Sequence, residues 1–204
     1  MEKKLNICPY MIDLTPNIIL SKPQLGENIG STARAMKNFG IEKLRLIEPR
    51  DGWPNSSAYA ISAGADDVLN KINVFKSLEE ATKDISLLFA TTARKRVIGT
   101  KPLDVFEAID KSFHHVVNGG QVGFLFGPEQ SGLSNDDVVQ ADYTISIPLN
   151  QNFSSLNLSQ AVLLICWEWN KVKMSHLKED NLPLKVNKKL KKSTEISYVG
   201  DREY

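Results

Sequence analysis

The chain has little cysteine. Cys8 and Cys166 lie far apart, and no Cys-x-x-Cys occurs. A disulfide framework and a thiol-redox motif are therefore excluded. The three histidines, His114, His115 and His176, do not pair with cysteine or acidic residues at metal-ligand spacing, so no metal centre is expected. No Gly-x-Gly-x-x-Gly follows a strand-like run, and no Gly-x-x-x-x-Gly-Lys-Ser/Thr is present, which removes the common dinucleotide and P-loop sites. The Gly-x-Ser-x-Gly elbow of serine hydrolases is also missing. The longest apolar run, Ala161 to Trp167, is far shorter than the ~20 residues that span a bilayer. Glu2, Lys3 and Lys4 have no apolar segment behind them, so no signal peptide is expected. These absences together point to a cytoplasmic protein that uses no metal and no membrane.

What is present suits one globular domain with a tail. The 204 residues are 42% hydrophobic and 24% charged, proportions of an ordinary folded protein. The net charge of +1 is unevenly spread: residues 171–204 hold nine Lys/Arg against five Asp/Glu. Lys185, Lys188, Lys189, Lys191 and Lys192 are the densest cluster. A basic tail on a mildly acidic body suits a polyanionic partner, and equally a solvated extension. Residues 1–16 show no period and read as a lead-in, 17–172 as the folded body, and 173–204 as a basic extension.

Along the body, strand and helix patterns alternate, which predicts an α/β fold with a mostly parallel sheet. Strands are expected at 17–20, 44–47, 85–90, 122–126 and 143–148. Helices are expected at 27–39, 56–69, 103–109 and from 156 to about 171. Ser77 with Glu80 forms a capping-box pattern, and Ser134 is placed to cap another helix. In the first helix Ile29, Ala33 and Met36 recur at core-facing spacing, which leaves Arg34 on the polar side with Ser31 and Asn38.

Three loops rich in small residues follow successive strands: Thr91–Arg94, Gly127–Leu133 and Asn150–Asn157. Open α/β sheets bind ligands at such strand ends. Small residues let a ligand approach the main chain, whose N–H and C=O groups can read a flat heterocycle. Each loop taken alone also reads as an ordinary strand-to-helix turn.

Three ordered motifs carry a family resemblance: Asn28 to Met36, Phe126 to Leu133, and Ile147-Pro148-Leu149 with Ser154 to Leu158. Over about residues 17–172 the chain resembles the SPOUT class of RNA ribose 2′-O-methyltransferases, in the TrmH family and its TrmJ branch. The resemblance implies a Rossmann-like sheet whose C-terminal part forms a deep trefoil knot, and a homodimer built partly on the helix carrying Trp167 and Trp169. It implies S-adenosylmethionine as cofactor, held by Thr91, Thr92, Ala93, Gly127, Ile147, Ser154, Ser155 and Leu156. It further implies methyl transfer to RNA, with a pyrimidine of the tRNA anticodon loop as target. Arg34 would act at the reacting centre, supported by Asn28, Glu129, Ser155 and Asn157. Glu129 would hold either Arg34 or a backbone N–H, and Asn28 would cap or bond near its helix start. Arg94 and Arg96 would contact RNA phosphates. The same chemistry on another tRNA site or on ribosomal RNA remains open at this point, as does a non-catalytic RNA-binding protein on the same scaffold.

Overall fold

A computed structural model of the chain describes residues 14–92, 102–150, 152–153 and 155–179, with side chains described as far as His176. Six strands form one sheet: β1 (Asn17–Ser21), β2 (Leu44–Ile47), β3 (Asn73–Phe75), β4 (Leu87–Thr91), β5 (Val122–Phe126) and β6 (Tyr143–Ile145). Their order is β3-β2-β1-β5-β4-β6, and every neighbouring pair runs parallel. The helices are α1 (Gly26–Asn38), α2 (Ser56–Ile61), α3 (Asp66–Leu69), α4 (Leu78–Thr82), α5 (Val105–Val117), α6 (Asn135–Val139) and α7 (Leu158–Glu179).

β1 and β5 lie at the centre, and all five residues of each are buried. Continuous apolar runs are what a parallel sheet needs when helices cover both faces. Of the polar residues in β1, Asn17 and Ser21, Asn17 donates its side-chain amide to the Val122 carbonyl at 3.1 Å, which satisfies it within the core. The larger core gathers Ile29, Met36, Phe89, Phe113, Phe124 and Trp169 from the sheet, α1, α5 and α7. A smaller one, on Ile19, Leu88 and Leu125, is closed by Leu78, Leu133 and Val138. Cys166 lies in the larger core, where burial pushes its thiol up to about 12, so it packs as a small hydrophobe.

Several boundaries depart from the sequence expectation for physical reasons. The helix expected over 56–69 divides into α2 and α3. Ala63 and Gly64 adopt φ of 48° and 88°, a left-handed backbone that no α-helix contains, and Ser62 turns its hydroxyl back to the Tyr59 carbonyl. β3 lies outside the sequence expectation: it is only three residues long, and its Asn73 and Val74 are exposed at the sheet edge. α5 continues to Val117, with Ala108, Ile109, Ser112, Phe113 and Val116 keeping the core-facing spacing. The strand expected over 85–90 is shifted to Leu87–Thr91, and β6 stops at Ile145 before Pro148, which has no N–H for a ladder. Ser134 does cap α6, in a reciprocal box with Asp137.

α7 begins two residues later than expected and runs on to Glu179. Val162, Ile165, Cys166, Trp169 and Val172 are its buried face, while Leu163, Leu164, Trp167 and Met174 are exposed. The two tryptophans therefore separate. Trp169 is in the core and donates Nε1–H to the Leu14 carbonyl at 3.2 Å. Trp167 is 48% exposed, its ring edge-on to Phe39. Among the described residues, no helix is long and apolar enough to cross a membrane.

Candidate functional site

The loops leaving β4, β5 and β6 meet at the carboxyl end of the sheet. Thr91 ties β4 to β5 through its hydroxyl, which donates to the Leu125 carbonyl at 2.9 Å. Thr92 ties it to β6, its N–H donating to the Ile145 carbonyl at 2.9 Å. After β5 the chain folds back on itself: the Gly132 N–H reaches the Pro128 carbonyl at 2.8 Å. A Cβ on Gly127 would lie 2.2 Å from the Leu133 nitrogen, so this position admits only glycine.

Between these loops is a cleft. It is lined by Thr91, Thr92, Gly127, Ile147 and Leu156, all expected cofactor contacts, and also by Phe126, Glu129, Gly132, Leu149, Leu158 and Ala161. Ser155 is exposed and does not line it. Ala93, Ser154, Arg94 and Arg96 lie outside the described residues. The walls are apolar, the hydroxyls come from two threonines, and the charged side chain among the described lining residues is a carboxylate, Glu129.

Glu129 organises the neighbouring side chains. Its Oε2 accepts from the Gln24 N–H at 2.8 Å, and its Oε1 accepts from the Leu25 N–H at 3.3 Å and the Asn28 amide at 2.7 Å. Leu25, the N-cap of α1, has no side chain able to cap, and makes no such bond. A helix start leaves its first N–H groups without intrahelical acceptors and carries partial positive charge. Glu129 brings the opposite charge to that start from across the fold, accepting from the N-cap Leu25 N–H and from the Gln24 N–H just before it. Asn28 thus does not cap its own helix; it passes the contact on. Its Oδ1 accepts from the Asn157 amide at 2.9 Å, and Asn157 Oδ1 accepts from the N–H and hydroxyl of Ser159 at 2.9 and 2.7 Å, capping α7. One chain of bonds joins the start of α1, the loop after β5 and the start of α7.

Arg34 stands apart from that network. It is exposed on α1, six residues past Asn28, roughly 9 Å along the helix axis. Glu129 does not hold it, and no described residue hydrogen-bonds or ion-pairs with its guanidinium. Arg50 is a basic residue near the site that the sequence patterns did not mark. Its N–H bonds the Pro23 carbonyl at 3.1 Å, and Asp51, with Glu129 more weakly, raises its guanidinium above the usual value. The histidines lie away from this cleft. Asp110 and His114 stand 3.8 Å apart on α5, and His176 of α7 brings a third potential ligand to them.

The sequence profile of the SpoU rRNA methylase family matches residues 15–167. The chain belongs to that family. Among SpoU relatives, the tRNA (cytidine/uridine/adenosine-2′-O-)-methyltransferase TrmJ of Pseudomonas aeruginosa is 35% identical over 178 residues, covering 87% of this chain and 67% of its own length. The tRNA (cytidine/uridine-2′-O-)-methyltransferase TrmJ of Sodalis glossinidius is 38% identical over 151 residues, covering 74% and 58%. The chain therefore spans between 58% and 67% of these two curated relatives. The crystal structure of TrmJ from Z. mobilis ZM4 superposes with a TM-score of 0.73 at 44% identity, over 81% of this chain and 79% of that one. The SpoU assignment agrees with the parallel sheet and with the family resemblance of the three motifs.

Proposed function

We propose that this SpoU chain transfers a methyl group from S-adenosylmethionine to a ribose 2′-hydroxyl of tRNA, at a pyrimidine in the anticodon loop. The observation that carries the reading is the cleft at the ends of β4, β5 and β6, set beside the Glu129–Asn28–Asn157 network. Its lining suits the cofactor: apolar walls for a flat base, threonine and main-chain groups for polar edges, and a carboxylate for a cation. Thr91, Thr92, Gly127, Ile147 and Leu156 line the cleft and would hold the cofactor, together with Ala93 and Ser154. Bound there, S-adenosylmethionine supplies an electrophilic methyl on a sulfonium. The curated relatives named above support tRNA as substrate class.

Each side chain then has a task. The 2′-oxygen must approach the methyl in line as the sulfur–carbon bond breaks, and its proton must leave. Arginine is a poor base, since its pKa exceeds about 12. Arg34 instead clamps the target phosphate through its two-pronged donor face, orients the 2′-oxygen, and leaves the proton to a phosphate oxygen. Its lack of partners among the described residues leaves those donors available. Glu129, Asn28 and Asn157 fix the helix starts against the cleft. Arg94, Arg96 and the basic segment 173–204 hold RNA phosphates.

The same reading includes a division into lead-in 1–16, methyltransferase domain 17–172 and basic extension 173–204, with the C-terminal part knotted. β5 inserted between β1 and β4, and α7 packed back on α1 and α5, support the knot. The exposed apolar face of α7 around Trp167 supports a homodimer, working in the cytoplasm on tRNA. The test is methyl transfer from labelled S-adenosylmethionine to unmodified tRNA transcripts, followed by nuclease digestion. A labelled 2′-O-methylpyrimidine from the anticodon loop is the expected product. Label in ribosomal RNA alone, or on a base, would overturn the assignment.

A further inference from the structure

Away from the cleft, three side chains with metal-ligating chemistry converge on one spot. Asp110 and His114 are four residues apart on α5, which puts them on one helix face; Asp110 Oδ1 and His114 Nε2 are 3.8 Å apart. His176 comes from the far half of α7, and one ligand atom from each of the three lies within 4.8 Å of the others. A tetrahedral site with bonds of about 2.1 Å places its ligand atoms about 3.4 Å apart, so small side-chain rotations close this set around one ion. His176 is already oriented. Its ring stacks on Phe113 at 4.8 Å and meets the His114 ring edge-on at 5.4 Å. The nearby cation, Lys111, is turned onto the Tyr143 ring instead.

We propose that Asp110, His114 and His176 form a binding site for a divalent transition-metal ion that clips α5 to the C-terminal half of α7. Two imidazoles and one carboxylate favour zinc, nickel or copper over magnesium or calcium, which prefer all-oxygen sets. His114 and Asp110 are about half exposed, so water completes the coordination sphere and an ion has a path in. The site is roughly 27 Å along α7 from its first turn at Leu158. The ion would therefore brace the helix that leads into the lysine-rich segment and take no part in group transfer.

The test titrates zinc, then cobalt as a spectroscopic probe, into the untagged full chain after chelator treatment. One ion per chain should bind, with cobalt giving visible absorption bands and zinc raising the melting temperature. His114→Ala, His176→Ala and Asp110→Asn should each weaken binding at least about tenfold. His115→Ala should leave it unchanged, since His115 bonds Ser86 instead. Because the His114 side chain is 61% exposed, its variant tests the site even if loss of the His176 stack disturbs folding. Failure of zinc and cobalt to bind the wild type, or binding that survives both His114→Ala and Asp110→Asn, would overturn the proposal.

Discussion

Glu129→Ala should be among the most damaging changes near the cleft that touch no apolar packing. The carboxylate accepts three hydrogen bonds, from two main-chain N–H groups at the start of α1 and from Asn28. A hydrogen bond to a charged group contributes about 1.5–3 kcal/mol, and loss of a helix cap costs about 0.5–2 kcal/mol. The three bonds share one acceptor, and the Leu25 N–H is exposed, so water replaces part of what is lost. The expected net loss is about 2–3 kcal/mol. For a domain of this size that corresponds to a fall in melting temperature of roughly 4–12 °C. Glu129→Gln keeps the shape and one acceptor while losing the charge at the helix start, and should cost about 1 kcal/mol. Chemical denaturation of wild type, both Glu129 variants, Asn28→Ala and the Glu129/Asn28 double variant gives the coupling directly. It should be about 1 kcal/mol or more for groups bonded at this distance. A Glu129→Ala variant within about 0.5 kcal/mol of wild type would refute the capping account.

Three further outcomes follow from the same geometry. Gly127→Ala should abolish S-adenosylmethionine binding in calorimetry, because the new methyl group meets the Leu133 nitrogen and the loop must open. Asp84 is held below the usual carboxylate range by its hydrogen bonds to Arg45, then by Arg45's charge. A depressed folded-state value contributes stability above the unfolded value of about 3.9 and loses it as pH falls through the folded value. The stability gap between wild type and Asp84→Asn should therefore shrink as pH is lowered below about 4, and denaturation at several pH values checks it. Trp167→Glu should shift the protein to monomer in sedimentation while leaving the fold intact, since Trp167 is exposed where Trp169 is buried.

Much of the fold was legible because parallel strands covered on both faces read as unbroken apolar runs, as β1 and β5 do. β3 was not, because an exposed three-residue edge strand needs no pattern. The break between α2 and α3 lay in the backbone of Ala63 and Gly64, and alanine gives no warning of a left-handed conformation. At the site, the loops were legible from their small residues, and five of the named cofactor positions among the described residues do meet at one cleft. The network was not. Asn28 is 101 residues from Glu129 and 129 from Asn157, and no local rule pairs such groups. The one local hint was an apolar leucine at the N-cap of α1, which demands an acceptor from elsewhere. Asp110 and His114 share a helix face that the sequence could show, whereas His176 joins them only through the packing of α7 on α5.

Methyl transfer to tRNA with Arg34 ordering the phosphate is decided by one experiment: transfer of labelled methyl to unmodified tRNA transcripts by wild type and Arg34→Ala, with S-adenosylmethionine affinity measured on both. Wild type should label the tRNA, and the variant should lose about 100-fold or more in turnover while cofactor affinity stays nearly unchanged. Near-normal turnover by Arg34→Ala, or no label on any tRNA with wild type, would contradict it.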